Sequence, residues 1–463
     1  MTKTEPRSGS AAAEGIALDA GQVRIYRERT SRSRELLEKT KSLIPTGHGG
    51  GMWYQLPYPV LIERGKGARI WDADGNEYVD LRIGDWVLIH GHCNDTIRDA
   101  IVRQIDKGVQ FGCPDWDLSY RMAELLSGRM PSIERVRFLV SGTEANLLAM
   151  RLARAHTGRL RIAKTEGSYH GHADHTVVGS STVGIQPNTV GIQPKKVPTG
   201  VPPTVADELL EIPFNDPDRA AAILEREADD VAAVLLEPVQ GAAGMIPATP
   251  EFMQRMREVT ARLGIVLIFD EVVTFPVAWG GAQAWYGIKP DLTTMSKAIG
   301  GGLPMSAVGG RAEIMNLLDP DLYGGKAPVT SVSTFACNQL ALAAGIAAIE
   351  LLTPEVHARV QAMGNRAREG IDALGRRHGI PLHSSGIGHL FGMHWAPERV
   401  VDYRTRMQTD RQKIVNLHLA LMNQGYYQMS LGYFLISTEI GEAEVDGFLN
   451  ALENALHRLG YVS

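Results

Sequence analysis

The chain has 463 residues, 44% hydrophobic and 21% charged, with a formal net charge of -5. This ordinary globular balance excludes a disordered or fibrous chain, and the length suits two to three domains. Mixed charge without a basic run argues against a nucleic-acid partner. Cys93, Cys113 and Cys337 lack metal-ligand spacing, and their odd number argues against a disulfide framework. With no apolar leader before Gly15 and no long apolar run, neither a secretory signal nor a membrane span is expected. A reducing cytoplasm is the expected location.

Residues 1–20 are rich in Ser, Ala, Gly and Thr and read as a disordered tail. Gln22–Lys41 alternates charge with sparse apolar positions, which predicts an exposed helix. A glycine-rich loop runs from Pro45 to Gly51. Ala68–Asp80 predicts a hairpin whose Asp74-Gly75-Asn76 turn sits between β-prone runs. Residues 21–94 are expected to join a smaller domain completed by the other chain end.

Residues 95–340 alternate short apolar runs with helical patterns and are expected to form a large domain. Strands are predicted at Val136–Val140, Leu160–Ala163, Val231–Leu236, Gly264–Phe269, Leu292–Met295 and Ala307–Gly309. Helices are predicted at Glu144–Ala155 and Pro250–Leu263. Such alternation predicts an α/β fold with a mostly parallel sheet covered on both faces. Ligands then gather beyond the C-terminal ends of the strands. Residues 341–463 read as an α+β region. The helix Leu340–Leu352 leads into it, and the amphipathic helix Glu442–Leu459 ends it.

Inside the Gly/Pro/Thr-rich segment 178–204, Thr182-Val183-Gly184-Ile185-Gln186-Pro187 recurs as Thr189-Val190-Gly191-Ile192-Gln193-Pro194. This duplication is either a surface loop or a lid over a site.

Four stretches carry candidate chemistry. Val136–Val140 runs into Ser141-Gly142-Thr143 and then a helix, where free backbone N–H groups and two hydroxyls suit either a phosphate or a simple cap. Tyr169-His170-Gly171-His172 offers an aromatic face; its two histidines, without a carboxylate or Cys partner, do not make a metal site. In Gly264–Val272 a buried strand ends on Asp270. A carboxylate there needs a partner, either a structural cation or a pyridinium nitrogen. Asp291–Pro304 places Lys297 at a strand end before three glycines, as a loop lysine or as one able to form a Schiff base.

In this order the motifs resemble the class III aminotransferases of fold type I, close to glutamate-1-semialdehyde aminomutase and the β-amino-acid aminotransferases. The matching stretches also include Glu237-Pro238-Val239 and Ser296–Pro304, and the likeness spans about residues 35–460. It implies a large domain with a seven-stranded, mostly parallel sheet, a smaller α+β domain, and pyridoxal 5'-phosphate as cofactor. It implies that Lys297 forms the Schiff base and moves the proton, and that Asp270 pairs with the pyridine nitrogen. Val272 and Tyr169 would flank the ring. Ser141, Gly142 and Thr143 would hold the phosphate, and Glu237 would lie near the phenolic oxygen. Thr334 would reach the phosphate of a neighbouring subunit in a homodimer. The implied reaction passes an amino group from an amine to a keto or aldehyde acceptor. An intramolecular aminomutase or a racemase are the alternatives on the same scaffold.

The sequence departs from the resemblance where substrates are chosen. Neither Pro45–Tyr54 nor Tyr427–Tyr433 contains the arginine expected there to clamp a substrate carboxylate. Met52, Trp53, Tyr54 and Trp86, with Tyr427 and Met429, read either as an apolar pocket or as core. Arg82 and Asp85 follow the hairpin without an assigned place. After Val272 the chain reads Thr274-Phe275-Pro276, which stiffens the loop and again lacks arginine.

Overall fold

The strand Val266–Asp270 alternates its side chains between two buried layers. Val266 and Ile268 face one core with Ala145, Leu148 and Leu152, whereas Leu267 and Phe269 face another with Phe252 and Met256. This period of two on a strand buried on both faces is what a central strand of a covered sheet requires. The computed structural model of the chain describes residues 15–47, 55–111, 117–180 and 197–463.

The strands are β1 (Ile62–Lys66), β2 (Arg69–Asp72), β3 (Glu77–Asp80), β4 (Arg135–Leu139), β5 (Arg161–Thr165) and β6 (Leu209–Ile212). There follow β7 (Val231–Leu236), β8 (Val266–Asp270), β9 (Leu292–Met295), β10 (Ser306–Gly310), β11 (Leu382–Ser385), β12 (Leu390–Trp395), β13 (Tyr426–Tyr427) and β14 (Tyr433–Leu435). The large sheet has seven strands in the order β4-β10-β9-β8-β7-β5-β6. All its neighbours pair in parallel except β10, which runs antiparallel to both β9 and β4. Helix Gly142–Thr157 covers one face through Ala145, Leu148, Ala149 and Leu152, the spacing of a single apolar stripe. Helix Pro250–Leu263 covers the other face, starting at the Thr249 cap and ending at left-handed Gly264.

The two chain ends meet in smaller sheets. β1, β2 and β3 form an antiparallel meander, and β13 adds in parallel to β3. The Asp74-Gly75-Asn76 turn forms as expected, with Asp72 Oδ1 accepting the N–H groups of Asp74 and Asn76 at 3.0 and 2.8 Å. β11, β12 and β14 form a three-stranded antiparallel sheet. It packs with helices Pro354–His378, Arg411–Asn423 and Glu442–Arg458 around Phe391, Phe434 and Phe448.

Three expectations change in detail. The exposed helix predicted over 22–41 is two helices, Ala20–Arg29 and Ser31–Thr40, broken at Thr30. There the Thr30 hydroxyl donates to Tyr26 O at 2.6 Å and the backbone leaves helical dihedrals. Of the expected tail, the described residues from 15 onward are docked, with Ile16 buried against Leu56 and Val415. Strand β6, hidden behind the Gly/Pro/Thr-rich stretch, completes the sheet edge. Residues 182–194, which hold the repeat, lie outside the described residues, as do Met52, Trp53 and Tyr54. Among the described residues no single helix is long and apolar enough to cross a membrane.

Candidate active site

β8 delivers Asp270 to the C-terminal edge of the large sheet, on the face covered by helix Gly142–Thr157. Its carboxylate is buried and held from three directions. His170 Nδ1 lies 2.7 Å and Asn146 Nδ2 2.8 Å from Oδ2, and the Val272 N–H donates to Oδ1 at 3.1 Å. Burial pushes His170 below its usual value, which favours a neutral ring with its proton on Nδ1, facing the carboxylate. Its Nε2 is buried without a partner. Asn146 is oriented in turn by accepting from the Thr294 hydroxyl at 2.7 Å.

The helix start sits beside this carboxylate. Ser141 caps it by accepting the Glu144 N–H at 3.3 Å, and the Glu144 carboxylate accepts the Val140 N–H at 2.9 Å. Gly142 keeps the cradle open: a Cβ there would come 3.1 Å from the Val272 side chain. Gly171, at φ +103°, brings the Tyr169–His172 loop onto Thr143, where a Cβ would lie 2.3 Å from the Thr143 hydroxyl. The Thr143 hydroxyl also lies 3.2 Å from His172 Nδ1.

Glu237 directly follows β7 and accepts the N–H groups of Tyr169 at 2.8 Å and Gly241 at 3.0 Å. Burial, with the Asp270 charge nearby, pushes this carboxyl up to about 8, so it holds its proton at neutral pH. Adjacent Glu271 is a different case. It points away, into N–H groups of Ala282 and Gln283, and burial raises it to about 7.

Lys297 follows β9 in a left-handed conformation, φ +52°. The turn behind it needs Gly301, since a Cβ there would lie 2.3 Å from Ala344 O. Burial pushes the Lys297 ammonium below its ordinary value, while Asp270, Glu237 and Asp85 pull it back up. Its Nζ sits 5.5 Å from the centre of the Trp86 ring. Together these groups enclose a cavity of about 150 Å³, lined by Trp86, Gly142, Thr143, Asn146, Tyr169, His170, Glu237, Asp270, Val272 and Lys297, among others.

Of the residues singled out in the sequence, Gly142, Thr143, Tyr169, Glu237, Asp270, Val272, Lys297 and Trp86 line this one cavity. Ser141 stands behind it as the helix cap. Thr334 is on the surface, its carbonyl accepting from Gln110 at 2.8 Å. Met429 is buried in an apolar cluster with Trp86, Met245 and Leu431. The sequence reading did not include Asn146 as a site residue. Its one signal is its position four residues after Gly142, on the same helix face. His170, set aside in the sequence as a metal ligand, is instead a partner of Asp270.

The contents of the cavity suit a phosphorylated pyridine aldehyde. A helix start, a buried carboxylate and an amine line the cavity together. The Trp86 Nε1–H is buried at its wall without a partner. A family model described as aminotransferase class-III matches residues 53–456. The chain belongs to this family. It is 37% identical over 409 residues to a glutamate-1-semialdehyde 2,1-aminomutase of Bacillus thuringiensis, covering 87% of this chain and 91% of that one. Among solved structures it resembles an omega-transaminase from Sphaerobacter thermophilus, at 38% identity and a TM-score of 0.88 over 94% of this chain and 99% of the other. A β-phenylalanine aminotransferase from Variovorax paradoxus matches at 32% identity and a TM-score of 0.87, over 96% and 97% of the two chains. The cofactor is therefore pyridoxal phosphate, and the architecture is fold type I.

Proposed function

We propose that Lys297 is the residue to which pyridoxal phosphate is attached, and that the chain moves an amino group from an amine donor to a keto or aldehyde acceptor. The observation that carries this reading is the convergence of Lys297, Asp270 and the Gly142–Thr143 helix start on one cavity. When bound, the cofactor supplies an electron sink for charge developing on the substrate carbon. Asp270, fixed by His170 and Asn146, keeps the pyridine nitrogen protonated. The N–H groups of Gly142 and Thr143 bind the phosphate, with Ser141 holding the helix start in shape. Val272 and Tyr169, which line the cavity, would flank the cofactor ring. Glu237, raised to about 8 by burial, would hold its proton near the cofactor's phenolic oxygen. Lys297 would hold the cofactor and would move a proton at the substrate carbon, a role that the lowering of its pKa by burial favours.

The chain acts as a homodimer in the cytoplasm, with Thr334 reaching the phosphate in the neighbouring subunit. Support comes from the surface around Thr334, where Val332 is 96% and Phe335 60% exposed, an apolar face suited to a second copy. The expected division is a large domain over 95–340 and a small one from 21–94 and 341–463. An intramolecular aminomutase is the second reading, favoured by the names of the curated relatives.

The purified protein is expected to be yellow and to lose that visible band on adding an amine donor. Regaining the band only when a keto acid is supplied supports transfer. Conversion of one substrate with no acceptor supports the mutase. A band indifferent to every amine offered overturns both.

A further inference from the structure

Helices Pro354–His378 and Glu442–Arg458 bring a cluster of ligating side chains together near their C-terminal ends. His378 is the last residue of the first helix, before left-handed Gly379. Glu453 and His457 lie four residues apart on the second, a spacing that puts both on one face. Among the described residues, these three are the group of histidine, cysteine and carboxylate side chains whose ligand atoms all lie within 4.8 Å of one another. The packing behind them fixes their places. Leu374, Leu452, Ala455 and Leu456, on the buried faces of the same two helices, belong to one apolar core. None of the three lines the cofactor cavity.

His378 Nε2 lies 2.8 Å from Glu453 Oε1, and Arg377 Nη1 donates to the same oxygen at 2.8 Å. The His378 and His457 rings meet edge to face, with centroids 5.5 Å apart and planes at 88°. The His378 and Glu453 side chains are 15% and 28% exposed and that of Arg377 61%, so the ligands are held and the arginine is free to swing out. Two imidazole nitrogens and one carboxylate oxygen suit a first-row divalent cation such as zinc, with water as a fourth ligand on the open side. Calcium and magnesium, which prefer oxygen shells, suit this set poorly. In a tetrahedral zinc site with bonds of about 2.0–2.1 Å the ligand atoms stand roughly 3.3 Å apart. Small side-chain rotations at these partly exposed positions close that gap. The two helices also present the negative ends of their dipoles here, which favours a cation.

We propose that His378, Glu453 and His457 form a binding site for a divalent cation of the zinc type, which ties the last helix of the chain to helix Pro354–His378. Arg377 is the internal cation that neutralises Glu453 and gives way when the metal arrives.

The test is calorimetric titration of the tag-free holoenzyme with zinc chloride, with the thermal midpoint followed alongside. Wild type is expected to take up zinc at this site and to melt a few degrees higher once it is filled. His457→Ala removes a ligand at an exposed position. It should weaken that uptake by at least about tenfold and abolish the rise in midpoint, with the visible cofactor band unchanged. Arg377→Gln removes the competing cation and should tighten uptake several-fold. A purely structural ion pair predicts otherwise for Arg377→Gln: a lower midpoint and an unchanged zinc affinity. X-ray absorption at the zinc edge should show nitrogen and oxygen neighbours at about 2.0–2.1 Å, whereas a sulfur shell at about 2.3 Å would put the ion on a cysteine and overturn the proposal. Wild type that takes up no zinc below on the order of 100 µM overturns it as well, as does a loss of less than about tenfold in His457→Ala.

Discussion

Glu237→Gln separates the charge of one buried carboxyl from its shape. Burial first, and then the Asp270 charge, push this group from 4.5 to about 8. In the unfolded chain it titrates near its ordinary value. Between the two, the folded protein keeps a proton that the unfolded chain releases. The stabilisation is therefore fully present at or below about pH 4.5 and is lost as pH rises toward about 8. At ~1.4 kcal/mol per unit the loss across the window is on the order of 5 kcal/mol. Glutamine does not titrate, so this slope disappears. Its amide also places an N–H against the N–H of Tyr169 or Gly241, a constant cost of roughly 1–3 kcal/mol. The assay is urea unfolding of cofactor-free wild type and variant from about pH 5 to about pH 8, read as the difference between the two at each pH. Glu271, raised to about 7 by burial, contributes equally to both and cancels. Wild type should lead most at the acid end and lose that lead with rising pH. A difference constant across the range refutes the reasoning.

Asp270→Asn should keep the lysine-linked visible band but lower turnover by roughly a hundredfold or more, measured as kcat with a fixed amine and acceptor. Asn146→Ala, which removes one of the bonds to Asp270 Oδ2, should lower kcat less, by about tenfold, with the band retained. Gly171→Ala forces a Cβ to 2.3 Å from the Thr143 hydroxyl at a left-handed position. It should cost about 2–4 kcal/mol, seen as a lower thermal midpoint and weaker cofactor retention on gel filtration.

The regular elements were readable because burial on both faces leaves a continuous apolar run along β7 and β8, and one-sided burial leaves a helical stripe over 142–157. Direction is not written in such a pattern. β10 reads as any other apolar strand, and its antiparallel course emerges only from pairing with β9 and β4. β6 was missed because a short run behind a Gly/Pro-rich segment has no flanking rhythm. At the cavity, Lys297 and Asp270 were each ambiguous alone at a strand end, and only the order of the motifs singled them out. Asn146 was not legible, because its purpose depends on a carboxylate 124 residues away. Nor was the turn that holds Arg82 and Asp85. A run of left-handed residues including Ile83 is something sequence propensity argues against, and the hydrogen bonds to Asp80 overrule it.

The role of Lys297 is tested most directly by reducing the yellow holoenzyme with borohydride, digesting it and locating the added cofactor mass on the peptides. The mass should fall on the peptide carrying Lys297 and vanish in Lys297→Ala. A reduced cofactor on another lysine, or one that stays free, would contradict the assignment.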